Sequence, residues 1–108
     1  MLKQVVKKNF IIAFDFDGTC CEDNFPNIGK PKVRVLEKLK KEQLEGTNLI
    51  LWTCRSGKYL ENALDWLADY GIIPDAVNEN IPSLGFKTSN KIFANIYLDD
   101  RAVNVLDF

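Results

Sequence analysis

Two aspartates that close an apolar run are the residues in this 108-residue chain best placed to do chemistry. Phe10-Ile11-Ile12-Ala13 leads directly into Phe14-Asp15-Phe16-Asp17-Gly18-Thr19. On an extended strand, side chains at i and i+2 share a face, so Asp15 and Asp17 are expected to point together while Phe16 turns to the core. Two adjacent anions repel and are costly to desolvate without a cation. Gly18 lets the chain turn and another group approach closely. The pattern suits a divalent-metal site with one carboxylate left to react.

Such a pair needs strands and helices to hold it, and the chain alternates the two. Phe10–Phe16 is expected as the first strand, with residues 18–30 as a loop rich in turn formers. Pro31 suits the first turn of a helix reaching Glu45, with Val35, Leu36, Leu39 and Leu44 on one side. Residues 48–53 (Asn-Leu-Ile-Leu-Trp-Thr) make a second strand. Ser56 is placed to cap a helix through Tyr70 that Gly71 ends. Residues 75–77 and 92–98 give two further strands, 78–90 a loop, and the last residues a short helical turn. Alternating β and α with near-continuously apolar strands implies one α/β domain over residues 1–108. Its expected form is a three-layer, Rossmann-like parallel sheet covered on both faces. Ligands bind such sheets at the carboxyl ends of the strands, where the strand order reverses. Asp15 and Asp17, Thr53 and Arg55, Asn78-Glu79-Asn80, and Asp99-Asp100 all fall at strand ends and are expected to converge on one rim.

Bulk properties remove several alternatives. The chain has no histidine, which excludes Ser-His-Asp and Cys-His catalysis, His-ligated zinc and phosphohistidine chemistry. Its longest apolar stretches are too short to span a bilayer, and no cleavage site follows the mildly basic Met1–Lys8, so no membrane association and no signal peptide are expected. Three cysteines without metal-type spacing, two of them adjacent, read as reduced thiols of a cytoplasmic protein. The net charge of −1 argues against a general nucleic-acid binder. The basic excess in Lys30–Lys41 reads first as a solvated helix face.

Acidic residues crowded at one rim imply Mg²⁺, a hard ion that prefers carboxylates and water and in turn recruits phosphate. Thr53 offers a hydroxyl to a phosphoryl oxygen, and Lys91 or Lys87 could supply positive charge. This set suits phosphoryl transfer, where positioning and charge neutralisation account for most of the catalysis.

These residues resemble the haloacid dehalogenase superfamily. Asp15-Phe16-Asp17-Gly18-Thr19 is similar to its first motif, Thr53 to the second, and a lysine upstream of Asp99-Asp100 to the third and fourth, in the family's order over nearly the whole chain. Leu51-Trp52-Thr53-Cys54-Arg55, residues 75–80 and Tyr97-Leu98-Asp99-Asp100-Arg101 further resemble a group of small, often phage-associated hydrolases within it. The resemblance implies a phosphomonoester phosphatase. Asp15 would form a covalent acyl phosphate, and Asp17 would act as general acid and then base. Mg²⁺ would be held by the Asp15 carboxylate, the Asp17 backbone carbonyl, Asp99 and Asp100, the last directly or through water. Lys91, with Lys87 as the alternative, would offset phosphate charge beside Thr53, Gly18 and Arg55. The 33 residues between Thr19 and Thr53 and the 37 between Thr53 and Lys91 leave no room for a cap domain. An open site admits a large substrate or calls for a partner or a second copy to close it.

Alternatives within the fold are a phosphotransferase or phosphomutase, and a phosphatase of nucleic-acid ends that uses Lys30–Lys41 as an electrostatic track. From another class, a catalytically silent metal- or partner-binding module would keep the fold alone. A signalling receiver domain uses similar residues but in the opposite strand order. For single residues, Trp52 and Trp66 are expected in the core, and Cys54 as a small buried hydrophobe. Phe25 and Tyr59 stand between packing and substrate contact, and Asn78–Asn80 between a turn and a substrate contact. Arg55 is expected to pair with Asp99 or Asp100 or to reach substrate, and Arg101 to anchor the carboxylates of its own loop.

Overall fold

A computed structural model describes residues 5–108; residues 1–4, part of the basic opening stretch, lie outside the description. Four parallel strands form the sheet: β1 (Ile11–Phe14), β4 (Asn48–Leu51), β5 (Ala76–Val77) and β6 (Ile96–Leu98), in the order β5-β4-β1-β6. β1 is central and pairs with β4 from Ile11↔Asn48 to Phe14↔Leu51, and with β6 from Ile12↔Ile96 to Phe14↔Leu98. The chain builds outward from β1 through β4 to β5, then returns to lay β6 on the other side of β1. The order therefore reverses at β1, whose carboxyl end carries Asp15.

Both helices, α1 (Val33–Leu44) and α2 (Gly57–Asp69), pack on one face of the sheet. Leu36 and Leu39 of α1 and Ala63 and Leu67 of α2 are buried with Ile12, Phe14, Leu49 and Leu51. The opposite face, formed by Ile11, Ala13, Ile50 and Ala76, is covered by Ile81, Leu84, Ile92 and Ala94. These come from an irregular segment, 78–95, not from helices. Its backbone is held by side-chain amides: Asn80 accepts from Phe93 N–H at 2.7 Å and donates to Thr88 Oγ1 at 2.7 Å, and Asn95 Oδ1 accepts from Ile11 N–H at 2.8 Å. Asn80 is thus a structural clamp, and the expected strand at 92–98 begins only at Ile96.

Residues 18–30, expected as loop, contain a hairpin of β2 (Cys21–Asn24) and β3 (Asn27–Pro31). Pro31 ends β3 and does not start α1, because Lys32 N–H is held by the Cys20 carbonyl at 2.9 Å and helical geometry begins after it. Leu44 is exposed rather than on the packed side. Ser56 occupies the N-cap of α2 but makes no side-chain capping bond. Gly71 takes φ +77 beyond the helix end, the left-handed turn that favours glycine. Among the described residues no helix is long and apolar enough to cross a membrane.

Candidate active site at the carboxyl ends of the strands

The rim contains a cavity of about 320 Å³ lined by Asp15, Asp17, Asp23, Phe25, Thr53, Cys54, Arg55, Asp99 and Arg101. A second cavity beside it shares Asp15, Thr53, Cys54 and Asp99 and adds Trp52 and Asn78. Residues following β1, β4, β5 and β6 therefore do meet. Asp15 leaves β1 held to β6 by its N–H, which donates to Leu98 O at 2.9 Å. One carboxylate oxygen from each of Asp15, Asp99 and Asp100 lies within 4.8 Å of the other two. Burial pushes the Asp15 carboxyl up to about 6 from its ordinary 3.8. The Phe16 N–H opposes that rise, and the carboxylates of Asp99 and Asp100 add to it.

Gly18 has φ +86, and a Cβ there would collide with Asp100 Oδ2, so only glycine admits the Asp100 carboxylate. Thr19 contributes a bridge that its place in the motif did not foretell. Its hydroxyl accepts from Asp100 N–H at 3.0 Å and faces Asp15 Oδ2 at 3.4 Å, tying the loop after β1 to the loop after β6.

Asp17 parts company with Asp15. β1 ends at Phe14, and the chain turns as Cys20 N–H donates to Phe16 O, so strand alternation no longer governs residue 17. Its carboxylate instead receives two bonds from Arg55, Nε to Oδ2 at 2.8 Å and Nη2 to Oδ1 at 2.7 Å. Arg55 is only 3% exposed and neither pairs with Asp99 or Asp100 nor projects to solvent. Its remaining N–H groups reach the carbonyls of Pro26, Tyr59 and Asn27 at 3.1–3.2 Å, so all five donors are satisfied. The guanidinium lies 5.0 Å from the Phe16 ring centre and 5.1 Å from that of Phe25. Phe25 in turn meets Tyr59 edge-to-face at 5.4 Å. Both rings are therefore packing elements, and Phe25 also walls the cavity.

Thr53 is held by Asn78, which has φ +54. The Asn78 amide accepts from Thr53 N–H at 2.8 Å and donates to Thr53 O at 2.9 Å, so Asn78 is a clamp on the neighbouring strand end. Thr53 Oγ1 accepts from Arg55 N–H at 3.1 Å, which leaves the hydroxyl proton to donate elsewhere.

Four expectations fail. Lys91 does not line the cavity: its ammonium stands 5.5 Å from the Tyr97 ring centre, and residues 92–98 separate it from the rim. Lys87, exposed on the irregular segment, does not line it either. Arg101 lines the cavity and reaches Asp23 at 3.9 Å rather than its own loop, where only its backbone N–H meets Asp99 at 2.8 Å. Cys54 is exposed in the cavity, and Trp52 is a cavity wall. Cys20 and Cys21 are buried beneath the motif loop, where burial raises both thiols and keeps them protonated. No sequence signal set Arg101 above the lysines, because an exposed side chain on a turn carries no periodicity.

The molecule is thus an α/β protein of Rossmann-like character with a cluster of carboxylates at the switch point of its sheet. No protein-family model and no curated protein matches the chain. Among solved structures it is similar to a conserved protein from Bacteroides thetaiotaomicron, with 38% identity, 94% of this chain and 82% of that chain covered, and a TM-score of 0.78. The chain belongs to the same family as that conserved protein.

Proposed function

We propose that the protein is a Mg²⁺-dependent phosphohydrolase of the haloacid dehalogenase type, with Asp15 as nucleophile. The observation that carries this reading is the gathering of Asp15, Asp99 and Asp100 from two adjacent strand ends, with Thr53 on the third. Three like-charged oxygens within 4.8 Å are mutually repulsive unless a proton or a cation lies among them. Hard oxygen donors in that number fit Mg²⁺ and leave positions for water and phosphate. Asp15, Asp99 and Asp100, with the Asp17 carbonyl, would hold the ion, which when bound neutralises charge on the carboxylates and the phosphoryl oxygens. In this reading segment 78–95, which covers the second face of the sheet, would take the place of a second helical layer. Residues between Thr19 and Thr53 are taken up by the hairpin, α1 and β4, which leaves the site uncapped.

In the first step an Asp15 oxygen bonds to phosphorus and the ester P–O bond breaks, its oxygen taking a proton. In the second, water attacks the acyl phosphate, loses a proton, and releases inorganic phosphate and free Asp15. Asp17, accepting two bonds from Arg55, would serve as the base for that water. To protonate the leaving oxygen, Asp17 must first release one of the two Arg55 contacts and take up a proton from solvent on the freed oxygen. Thr53 donates to a phosphoryl oxygen. Arg101, rather than Lys91 or Lys87, is the exposed cation at the cavity.

The test is phosphate release from a panel of phosphate esters, with Mg²⁺ and with chelator, for the wild type and Asp15→Asn. Turnover is expected only for the wild type with Mg²⁺. Turnover that persists in Asp15→Asn removes it as nucleophile, and no turnover of any ester leaves a metal- or partner-binding module.

A further inference from the structure

The carboxyl end of β4 and the residue after it are two neighbours with opposite surroundings. Leu51 is fully buried, whereas Trp52 is 38% exposed. Trp52 belongs to neither core cluster and stacks on no other ring among the described residues. Trp66 shows what a packed tryptophan looks like in this molecule: it meets Phe16 edge-on at 5.5 Å and Tyr70 at 4.6 Å.

The exposure of Trp52 does not arise from a loose backbone. Its N–H donates to Phe14 O at 2.9 Å, continuing the β1–β4 ladder, and the Asn78 clamp fixes the next residue through both its N–H and its carbonyl. A large apolar ring on a fixed backbone therefore stands in the wall of the cavity that contains Asp15, Thr53 and Asp99. Exposed aromatic surface beside a reacting group is a recognition element, because covering it with another flat ring removes apolar area from water. The other residues lining this half, Cys54 and Asn78, are uncharged, and no lysine or arginine lines it. The part of the substrate beyond the phosphate consequently meets nothing here that would hold a second anionic group.

We propose that the site selects phosphate monoesters whose alcohol carries a planar ring, nucleoside monophosphates foremost, with the ring stacked on Trp52. This inference rests on the phosphohydrolase reading above. The reaction consumes one water and yields a nucleoside and inorganic phosphate.

The decisive comparison is kcat/KM for adenosine 5′-monophosphate against ribose 5-phosphate, which share a primary phosphate ester and differ in the base. The wild type is expected to favour the nucleotide by about tenfold, the order of one base stacked on an aromatic side chain. Trp52→Leu should bring the ratio to within about twofold, and Trp52→Phe should keep most of it. In Asp15→Asn, which retains the cavity, the nucleotide should quench tryptophan fluorescence, and the added Trp52→Leu change should abolish that quench. Thermal melting of each variant verifies that it is folded.

A wild-type ratio near one, or a ratio that survives Trp52→Leu in a folded protein, overturns the proposal while leaving the hydrolase intact. Sensitivity to Trp52→Leu of phenyl phosphate but not of the nucleotide also overturns the choice of nucleoside monophosphates, since the ring contacted would then be one bonded directly to the phosphate. Absence of turnover for every ester with Mg²⁺ removes the underlying hydrolase reading instead.

Discussion

Asp15 and Asp17 lie two residues apart yet enter opposite surroundings. Around Asp15, carboxylates crowd together and burial raises the acid to about 6. Around Asp17, a buried guanidinium meets every acceptor it can use: two carboxylate oxygens and three backbone carbonyls, drawn from the motif loop, the β2–β3 hairpin and the start of α2. The first region carries excess like charge that a proton or an added cation relieves. The second is closed on itself. A crowded carboxylate therefore lies on one side of Phe16 and a guanidinium-anchored one on the other, both lining one cavity, and a short motif serves both because its chain turns between them.

The contrast can be broken by substitution. Asp15→Asn should lower phosphate release by at least about 10³-fold, while removing like charge and leaving metal-free stability at neutral pH equal or higher. A fall in melting temperature would show that Asp15 is structural. Arg55→Ala should do the reverse to the fold, since stranding a buried partner costs about 3–5 kcal/mol. Denaturant unfolding should show that loss, and Arg55→Lys should recover little of it because three donors cannot replace five. A melting curve unchanged in Arg55→Ala would break the comparison outright.

Smaller effects sharpen it. Arg101→Ala should reduce kcat/KM about tenfold, as expected for loss of one charge-assisted contact to phosphate, whereas Lys91→Ala should stay within about twofold. The opposite ranking in steady-state kinetics would return the role to the lysine. The smallest effect is on stability against pH. Because the folded Asp15 carboxyl titrates near 6, above its unfolded 3.8, the metal-free fold binds the extra proton between those values. Its stability should therefore fall as pH rises through that window. Discounted for solvent exposure, the loss is about 1 kcal/mol, or about 4–8 °C in melting temperature. Mg²⁺ should restore it at pH 7.5, with the gain fading below pH 6. A metal-induced shift independent of pH would detach the ion from Asp15.

The strand ends were legible because apolar runs terminating in polar residues need only local pattern. Asp15, Thr53 and Asp99 were found that way, and the fold brings them together as expected. What failed depended on direction rather than position. The i, i+2 rule places Asp17 with Asp15, and both do line the cavity, but the strand ends at Phe14 and the Asp17 carboxylate is turned onto Arg55. The resemblance of residues 91–100 to the small hydrolase group favours Lys91, but Lys91 precedes β6 and so stands at the end of that strand away from the rim. Trp52 read as core because its neighbours Leu49, Ile50 and Leu51 are core, although the strand was about to emerge at the rim. The hairpin was hidden because Cys21-Glu22-Asp23-Asn24 has almost no apolar alternation; β2 and β3 pair around the acceptors that Arg55 draws together.

Three of the five acceptors on Arg55 are main-chain carbonyls, at Pro26, Asn27 and Tyr59. A lock that recognises peptide groups is indifferent to what side chains those positions carry. The mouth of the cavity can thus change in shape and polarity through its side chains while its tie to the motif loop stays closed.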